Sequence, residues 1–419
     1  MKSKKIIIPT FTLLFALQIS AQEVKKSLQE CIEAAMQNNL TMQSGKIAIE
    51  RSKALQGTAF NIDKTQLSLS QDPTSGGSPD NSFSVSQSFE FPTVYASRRS
   101  LLKAETNLEQ SNLEVTRNEL IRQISSIYEQ LLYARENISI LQEQDSIYGK
   151  FVFLATAKFK AGETSRLEQI NAERLYSENI IVLQQAKKDY QNIQLALQRW
   201  LNTSDLICPA EAAMTVIEAA YPTSDFNASQ TPVNQVFESK KAIGEKLLSL
   251  TKQEFLPSFN VALHNQLVLS GFNPYNVQRE RFGGGNFMGF EVGVGIPLFF
   301  GEQRAKTRAA KREVEMIKTQ QKDALLSLDR EYRIALNDYV KAKNALDYYQ
   351  TQGNRQADEI SQMSQLSYEK GEIGYMEYIQ NLKTAAELHL QYANAVNSYN
   401  QSVILLNYLS GNKYLYRRQ

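Results

Sequence analysis

Residues 159–163 read Phe-Lys-Ala-Gly-Glu, and residues 368–372 read Tyr-Glu-Lys-Gly-Glu, 209 positions further along the chain. The agreement continues downstream at the same offset. A second agreement, at an offset of 205, links residues 91–99 to residues 296–304. Self-similarity of this kind indicates a duplicated structural unit. The chain is therefore predicted to contain two copies of one unit, each made of two strands, a long helix, a turn and a helix.

The duplication divides the 419 residues into five predicted parts. The chain opens with three lysines, an apolar run and the small residues Ser20 and Ala21, an order that is typical of a cleaved secretory signal peptide. Two prolines and a cysteine, with a third proline just beyond and no sustained apolar period, mark a small insert between the copies. The predicted parts are a signal peptide (1–21), a first repeat (22–201), an insert (202–231), a second repeat (232–411) and a C-terminal tail (412–419).

Apolar residues alternate in steps of four and three along two stretches, from Leu120 in the first copy and from Leu325 in the second. A spacing that averages 3.5 residues keeps one seam facing a partner helix, as in a coiled coil. We expect long helices over residues 97–157 and 303–367, each on the order of 90 to 100 Å long. Helices over 27–63 and 165–201 are about half as long, so two stacked end to end would flank one long helix.

Residues 287–298 alternate between apolar side chains and glycine or glutamate, and residues 82–91 alternate between aromatic or valine side chains and serine. Partner strands are expected around 259–269 in the second copy and, with a weaker pattern, around 67–69 in the first. Strands of about ten residues with one apolar face suit a lipid-facing barrel, although a soluble sandwich could also use them. Four strands cannot close a barrel, so a membrane location requires several chains, and three would supply twelve strands.

Composition narrows the class of protein. The 46 basic and 44 acidic residues nearly balance, which gives no support for nucleic-acid binding. The two histidines and two cysteines form no spacing typical of a metal site, and no nucleophile–base pair indicates an enzyme, so no cofactor is expected. No stretch after the signal offers about 20 consecutive apolar residues, so no helical anchor is expected.

Cys31 and Cys208 could form a disulfide or remain as buried thiols. The turn-rich segments 72–80 and 271–285 suit loops on the outer surface.

The order of these features resembles the TolC family of outer-membrane efflux proteins. The resemblance rests on the opening segment 27–39, on Pro297 between a strand and a long helix, and on the turns at Gly162 and Gly371. It implies a mainly α protein with a membrane β-barrel part, in which duplicated helical hairpins form a trimeric α-barrel in the periplasm. The four strands of each chain would contribute to a 12-stranded barrel in outer-membrane lipid. It also implies a periplasmic adaptor and an inner-membrane pump as partners.

The same resemblance assigns the two turns to the periplasmic end of the tunnel. Family members carry a tyrosine three residues before the second glycine, and acidic residues six and nine positions after that glycine. Here the tyrosine position holds Tyr368, and the two acidic positions hold Glu377 and Gln380, while the first copy has Glu168. An acidic ring at a constriction favours cations. The family's arginine two residues after the second glycine is Ile373 here, which puts a gate-closing charge network in doubt.

These residues could instead have purely structural roles. The glutamates could lie on a solvated helix face, and Tyr368 could pack between helices. The turn residues Gly162, Glu163, Gly371 and Glu372 are candidate adaptor contacts. For the whole chain, the alternative function is a periplasmic coiled-coil adaptor or structural stalk. The second copy ends in helix and the hairpins occur in tandem, which favours a passive efflux channel. The cargo could be a drug, a heavy metal or a peptide.

Overall fold

The computed structural model describes residues 23–73, 79–219, 226–267 and 286–411. The predicted signal peptide, the C-terminal tail and most of the two outer loops lie outside these ranges. The described helices are α1 (Leu28–Asn38), α2 (Leu40–Leu55), α3 (Pro92–Lys160), α4 (Arg166–Leu201), α5 (Pro232–Gln253), α6 (Gly301–Tyr348), α7 (Asn354–Glu369) and α8 (Tyr375–Leu409). The strands are β1 (Glu23–Lys26), β2 (Gln66–Pro73), β3 (Pro79–Phe89), β4 (Leu206–Pro209), β5 (Ser258–Leu267) and β6 (Asn286–Gly295).

Helix α3 is the longest element, with 69 residues and a length of about 100 Å. It begins on Pro92, whose missing N–H costs nothing in the first turn. The predicted seam is buried, and Leu120, Ile124 and Leu131 contribute to a core shared with α1, α2 and α4. The predicted long helix of the first copy is therefore confirmed, with ends a few residues beyond the predicted 97–157.

The predicted long helix over 303–367 is present, and its helical backbone runs from Gly301 to Glu369 with one irregular turn. A π-helical turn over Tyr349–Gly353 separates α6 from α7. Gly353 is small enough for this turn, because a Cβ atom there would lie only 2.7 Å from Cδ1 of Tyr349. The three segments have 48, 5 and 16 residues, as many together as α3. The structure explains why the two sequence agreements have different offsets. Pro92 and Pro297 are 205 residues apart, but α3 begins on Pro92, whereas α6 begins four residues after Pro297. The helices of the two copies therefore correspond at an offset of 209.

The prediction of one helix over 27–63 was wrong, because the chain breaks at Asn39. Its backbone is extended (φ −63°, ψ 128°), and its Oδ1 accepts the N–H groups of Thr41 and Met42 at 2.9 and 3.2 Å, which caps α2. Its Nδ2 donates to the Trp200 carbonyl at 2.9 Å, so the end of α4 meets the start of α2. These two helices thus stack end to end along α3, as predicted. The predicted capping box of Ser27 with Glu30 is present at the start of α1.

The segment between the copies is tied to the helices by buried polar contacts. Strand β4 pairs in parallel with β1, and the Tyr128 hydroxyl donates to the Lys26 carbonyl at 2.7 Å beside Glu211. Cys31 is buried and Cys208 partly buried, and neither forms a disulfide. Burial raises the pKa of the Cys31 thiol to about 12, so this thiol stays protonated near neutral pH.

The four remaining strands form one antiparallel sheet in the order β2-β3-β5-β6. Each copy contributes one hairpin, and β3 pairs with β5 to join the two copies. Among the strands that the structure describes, β2 and β6 each pair on one side only. No helix in the described part of the chain is long and apolar enough to cross a membrane.

Candidate functional site

The two glycine turns close the long helices in the same way. The Gly162 N–H bonds to the Phe159 carbonyl at 3.0 Å, and the Glu163 N–H reaches back to Lys158 at 2.9 Å. In the second copy, Gly371 and Glu372 repeat both bonds with the carbonyls of Tyr368 and Ser367, at 3.0 and 2.8 Å. This pattern is the Schellman motif, which needs a left-handed residue after the helix. Both glycines supply it, with φ values of +75° and +73°.

The two copies differ in how they hold the candidate glutamates. Glu168 lies in the first turn of α4, is half-buried, and accepts a hydrogen bond from the Thr164 hydroxyl. The position that corresponds to Thr164 is Ile373, which carries no hydroxyl. Glu377 lies in the first turn of α8 and is exposed, as is Gln380 one turn later. Glu377 is therefore the more exposed of the two carboxylates.

Tyr368 lies in an aromatic cluster at the end of α7. Its ring stacks on Tyr378 with the centroids 4.9 Å apart, and Tyr375 meets it edge-on at 5.1 Å. Phe151 of α3 packs against Tyr375 at 4.3 Å, so the cluster joins the hairpin ends of both copies. Burial, followed by the fields of Tyr368, Tyr378 and Glu168, raises the pKa of Tyr375. The packing interpretation of Tyr368 is thus realised within one chain, and Glu168 approaches the same cluster.

The sequence interpretation missed Tyr375 and Tyr378. The signal for them was present, because they are three residues apart at the start of α8 and so share a helix face. Their partner Phe151 is far away in sequence, and only the packing of α3 against α8 brings it near.

At the other end of the described structure, the four-stranded sheet has one exposed apolar face. Met288 and Phe290 of β6 are 77% and 80% exposed, and Leu69 of β2 is 82% exposed. Cross-strand rows continue this face over β3 and β5. Two polar side chains, Asn265 and Gln87, lie among the apolar side chains of these cross-strand rows. When a folded chain exposes an apolar surface of this extent, that surface is a site of contact with a membrane or with another protein.

The opposite face of the sheet is polar. Serine hydroxyls pair across β2 and β3, Ser68 with Ser84 at 2.5 Å and Ser70 with Ser82 at 2.6 Å. On β5 and β6, His264 Nε2 lies 3.1 Å from a carboxylate oxygen of Glu291. The sheet thus has the two-sided character that the alternation predicted. Among the residues that the structure describes, no group of three or more His, Cys, Asp or Glu side chains could hold a metal ion.

Solved structures of bacterial outer-membrane channels share this fold. The Campylobacter jejuni CmeC channel matches with a TM-score of 0.76 at 18% identity, over 92% of this chain and 85% of that one. The Neisseria gonorrhoeae MtrE channel matches with a TM-score of 0.72 at 17% identity, over 92% and 88%. VceC of Vibrio cholerae matches with a TM-score of 0.73 at 12% identity, over 92% and 96%. At these identities the likeness establishes the fold, which is that of the outer-membrane channel class.

Residues 32–203 match the family model described as outer membrane efflux protein. This match agrees with the predicted resemblance to the TolC family. The family match and the shared fold agree with the predicted location in the outer membrane, with the helical part in the periplasm. The family and the fold are those of channel proteins rather than enzymes. A sequence comparison with characterised proteins finds no match.

Proposed function

We propose that three copies of this chain form a passive outer-membrane channel. The channel receives substrate from an inner-membrane pump through a periplasmic adaptor and releases it outside the cell. The observation that carries this proposal is the four-stranded sheet with one exposed apolar face and one polar face. An outward apolar face beside lipid and a polar lumen are what a transmembrane barrel requires.

Closure of the sheet requires more than one chain. Within one chain β2 and β6 have unpaired outer edges, and open sheet edges do not occur in the hydrocarbon region of a bilayer. A ring of chains removes every edge by pairing β2 of one copy with β6 of the next. Three copies give the 12-stranded barrel that the family resemblance implies.

The helices extend away from the sheet as the wall of a periplasmic tunnel. In this arrangement the two repeats (22–201 and 232–411) each supply one hairpin, and the insert (202–231) braces them from the side. The turns at Gly162 and Gly371 then lie at the periplasmic end, where Glu163 and Glu372 would meet the adaptor. Glu168, Tyr368, Glu377 and Gln380 would border the opening there.

The channel itself needs no cofactor and performs no catalysis, because the pump supplies the energy for transport. The proposed channel contains no catalytic site. The residues that matter for conduction are those that set the width and the charge of the pore.

The first test is the native mass of the protein extracted in detergent, followed by conductance in planar bilayers. A trimer that forms open or gated pores would support the proposal. A monomer that remains stable without detergent would contradict it, and the adaptor or stalk function would then account for the helical hairpins.

A further inference from the structure

A cavity of about 400 Å³ lies within the helical part of the chain, between α3 on one side and α7 and α8 on the other. Ile147 and Leu382 line it and also pack against the core that contains Phe151. Met214 of the insert and Val396 line it where it meets the other large core of the second repeat. The volume is within the range of small-molecule sites, which is about 300 to 1,000 Å³.

The cavity exists because α8 carries small side chains along this stretch. Ala385, Ala386 and Ala393 line it. Buried positions nearer the end of the same helix hold large side chains, such as Tyr399, and there the helices pack without a gap of this size. The room in the wall therefore follows from the sequence of α8, and its chemistry depends on what α3 presents opposite.

The cavity lies between the two inner helices of the helical layer. Helix α3 packs against α4 on one side and α8 on the other, and α8 packs against α3, α6 and α7. Helices α4 and α6 are therefore the outer ones, where a ring of chains would add its contacts. Packing of a second copy against these outer helices does not fill the space between α3 and α8.

The lining of the cavity is acidic and contains no lysine or arginine. Glu136 and Glu143 of α3 both line it, and two helical turns place them about 10 Å apart along the helix axis. Neither carboxylate forms an ion pair or a hydrogen bond among the described residues. On the opposite wall, His389 already has partners in Asn354 and Asp358. A cleft lined by charge of one sign concentrates ligands of the opposite sign.

Gln144 gives an independent indication of a ligand. Its side chain lines the cavity, only 9% of the residue is exposed, and it forms no hydrogen bond within the part of the chain that the structure describes. A buried amide without a partner is costly, and native proteins nearly always satisfy such groups. A molecule bound in the cavity would supply the missing partner.

We propose that this cavity binds an organic dication with an apolar body, such as a long-chain diamine. Its two ammonium groups pair with Glu136 and Glu143, and one of their N–H groups donates to the amide oxygen of Gln144. Its hydrocarbon chain lies against Ile140 and Leu382, which line the cavity. The bound molecule bridges α3 and α8 and so holds the hairpins of the two repeats together. The inference goes beyond the proposed function and does not depend on it, because every lining residue belongs to one chain.

The test is isothermal titration calorimetry of the full-length protein in a non-ionic detergent, with 1,8-diaminooctane as the probe and protein-free detergent as the reference. The two ammonium groups of this probe are separated by a chain about as long as two helical turns. The uncharged 1,8-octanediol has the same chain and serves as the control ligand. The unmodified protein should bind the diamine much more tightly than the diol.

The double variant Glu136→Gln, Glu143→Gln should raise the Kd for the diamine by about tenfold, because it removes both ion pairs. The matched control is the double variant Glu105→Gln, Glu109→Gln. Both of these residues are half-buried on the same helix, and they lie about 40 Å or more from the cavity. This control removes the same charge from α3 and should bind the diamine as the unmodified protein does.

Ala386→Leu tests the cavity itself, because the larger side chain fills the space and leaves every charge in place. This variant should lose binding of the diamine. Helical circular dichroism checks that it folds, and if it does not, the two carboxylate variants still decide. The inference would be overturned if the unmodified protein bound no diamine, if it bound the diol equally well, or if the variant lacking Glu136 and Glu143 bound the diamine unchanged. A monomeric or non-conducting protein that still bound the diamine in this way would contradict the proposed function alone.

Discussion

A single residue sets the backbone direction at each turn, and Gly371 allows this role to be measured. Its φ of +73° lies in the left-handed region, yet a Cβ atom there would touch nothing within 4 Å. Gly371→Ala should therefore lower the stability of the turn by about 1 kcal/mol through backbone conformation alone. Native-state hydrogen exchange of the amides at the end of α7 would report the loss.

Gly374 is the matched control for this substitution, because it lies three residues away with a φ of −74° and equally open space. Gly374→Ala should leave exchange almost unchanged. Equal effects of the two substitutions would mean that flexibility of the segment, rather than the left-handed backbone, determines its stability.

Tyr375 gives a second test at the scale of the residue, through the pH dependence of its cluster. Burial raises its pKa above the ordinary value of about 10 that the unfolded chain has. The unfolded state then loses its proton first as pH rises, so the stability contributed by Tyr375 is full below about pH 10 and falls above it. The difference in tyrosinate absorbance between the unmodified protein and Tyr375→Phe should show a titration above about pH 10.

The denatured protein serves as the reference, because its tyrosines have the ordinary pKa of about 10. The same difference between the unmodified protein and Tyr375→Phe, measured in denaturant, should titrate at a lower pH than it does in the folded protein. Coincident titrations would mean that the aromatic cluster of Tyr368, Tyr375 and Tyr378 is open to solvent.

The sequence predicted the candidate site unevenly, for reasons visible in these residues. Gly162 and Gly371 were recognisable because a left-handed cap has a strong preference for glycine and occurs twice. The difference between Glu168 and Glu377 depends on a single hydroxyl at Thr164. The link from Phe151 to Tyr375 is a contact between distant helices, which no local pattern encodes.

At the scale of the element, strand β6 tests the assignment of the lipid-facing surface. Val292 is 65% exposed on the apolar face of the sheet. A carboxylate at such a position costs up to about 2 kcal/mol per chain in a bilayer. Val292→Asp should therefore reduce the yield of membrane-assembled trimer.

Gly289→Asp is the control on the same strand, since Gly289 lies on the polar face opposite His264 and has open space around it. It should assemble nearly as well as the unmodified protein. Reversed yields, with Val292→Asp assembling and Gly289→Asp failing, would mean that the two faces of the sheet have been exchanged.

Element boundaries show where sequence patterns stop being sufficient. The apolar period predicted the existence of the long helices, because their seams are buried throughout. It did not predict the break at Asn39, where a side chain caps α2 and also bonds to the end of α4. It also missed the π-helical turn before α7, because one extra residue in a turn barely changes the apolar spacing.

At the scale of the whole molecule, Asn400 connects the two repeats to the insert. Its Nδ2 donates to Glu129 of α3 and to the Thr215 carbonyl, both at 2.9 Å, and its Oδ1 accepts the Ile217 N–H at 2.9 Å. Asn400 and Glu129 are fully buried. One amide of the second repeat thus satisfies polar groups from the first repeat and from the insert, in a buried region.

Asn400→Ala should destabilise the folded protein by about 3 kcal/mol, because buried polar groups would lose their partners on both sides of the amide. The change should appear as a lower midpoint of chemical denaturation, measured by helical circular dichroism in detergent. Asn394→Ala on the same helix is the control, since Asn394 is exposed and should be almost neutral. If both variants unfolded at the same midpoint, apolar packing of α3 against α8 would suffice to hold the repeats together. A loss confined to Asn400 would instead mean that a polar clamp fixes the insert, and with it the relative position of the two hairpins that line the tunnel.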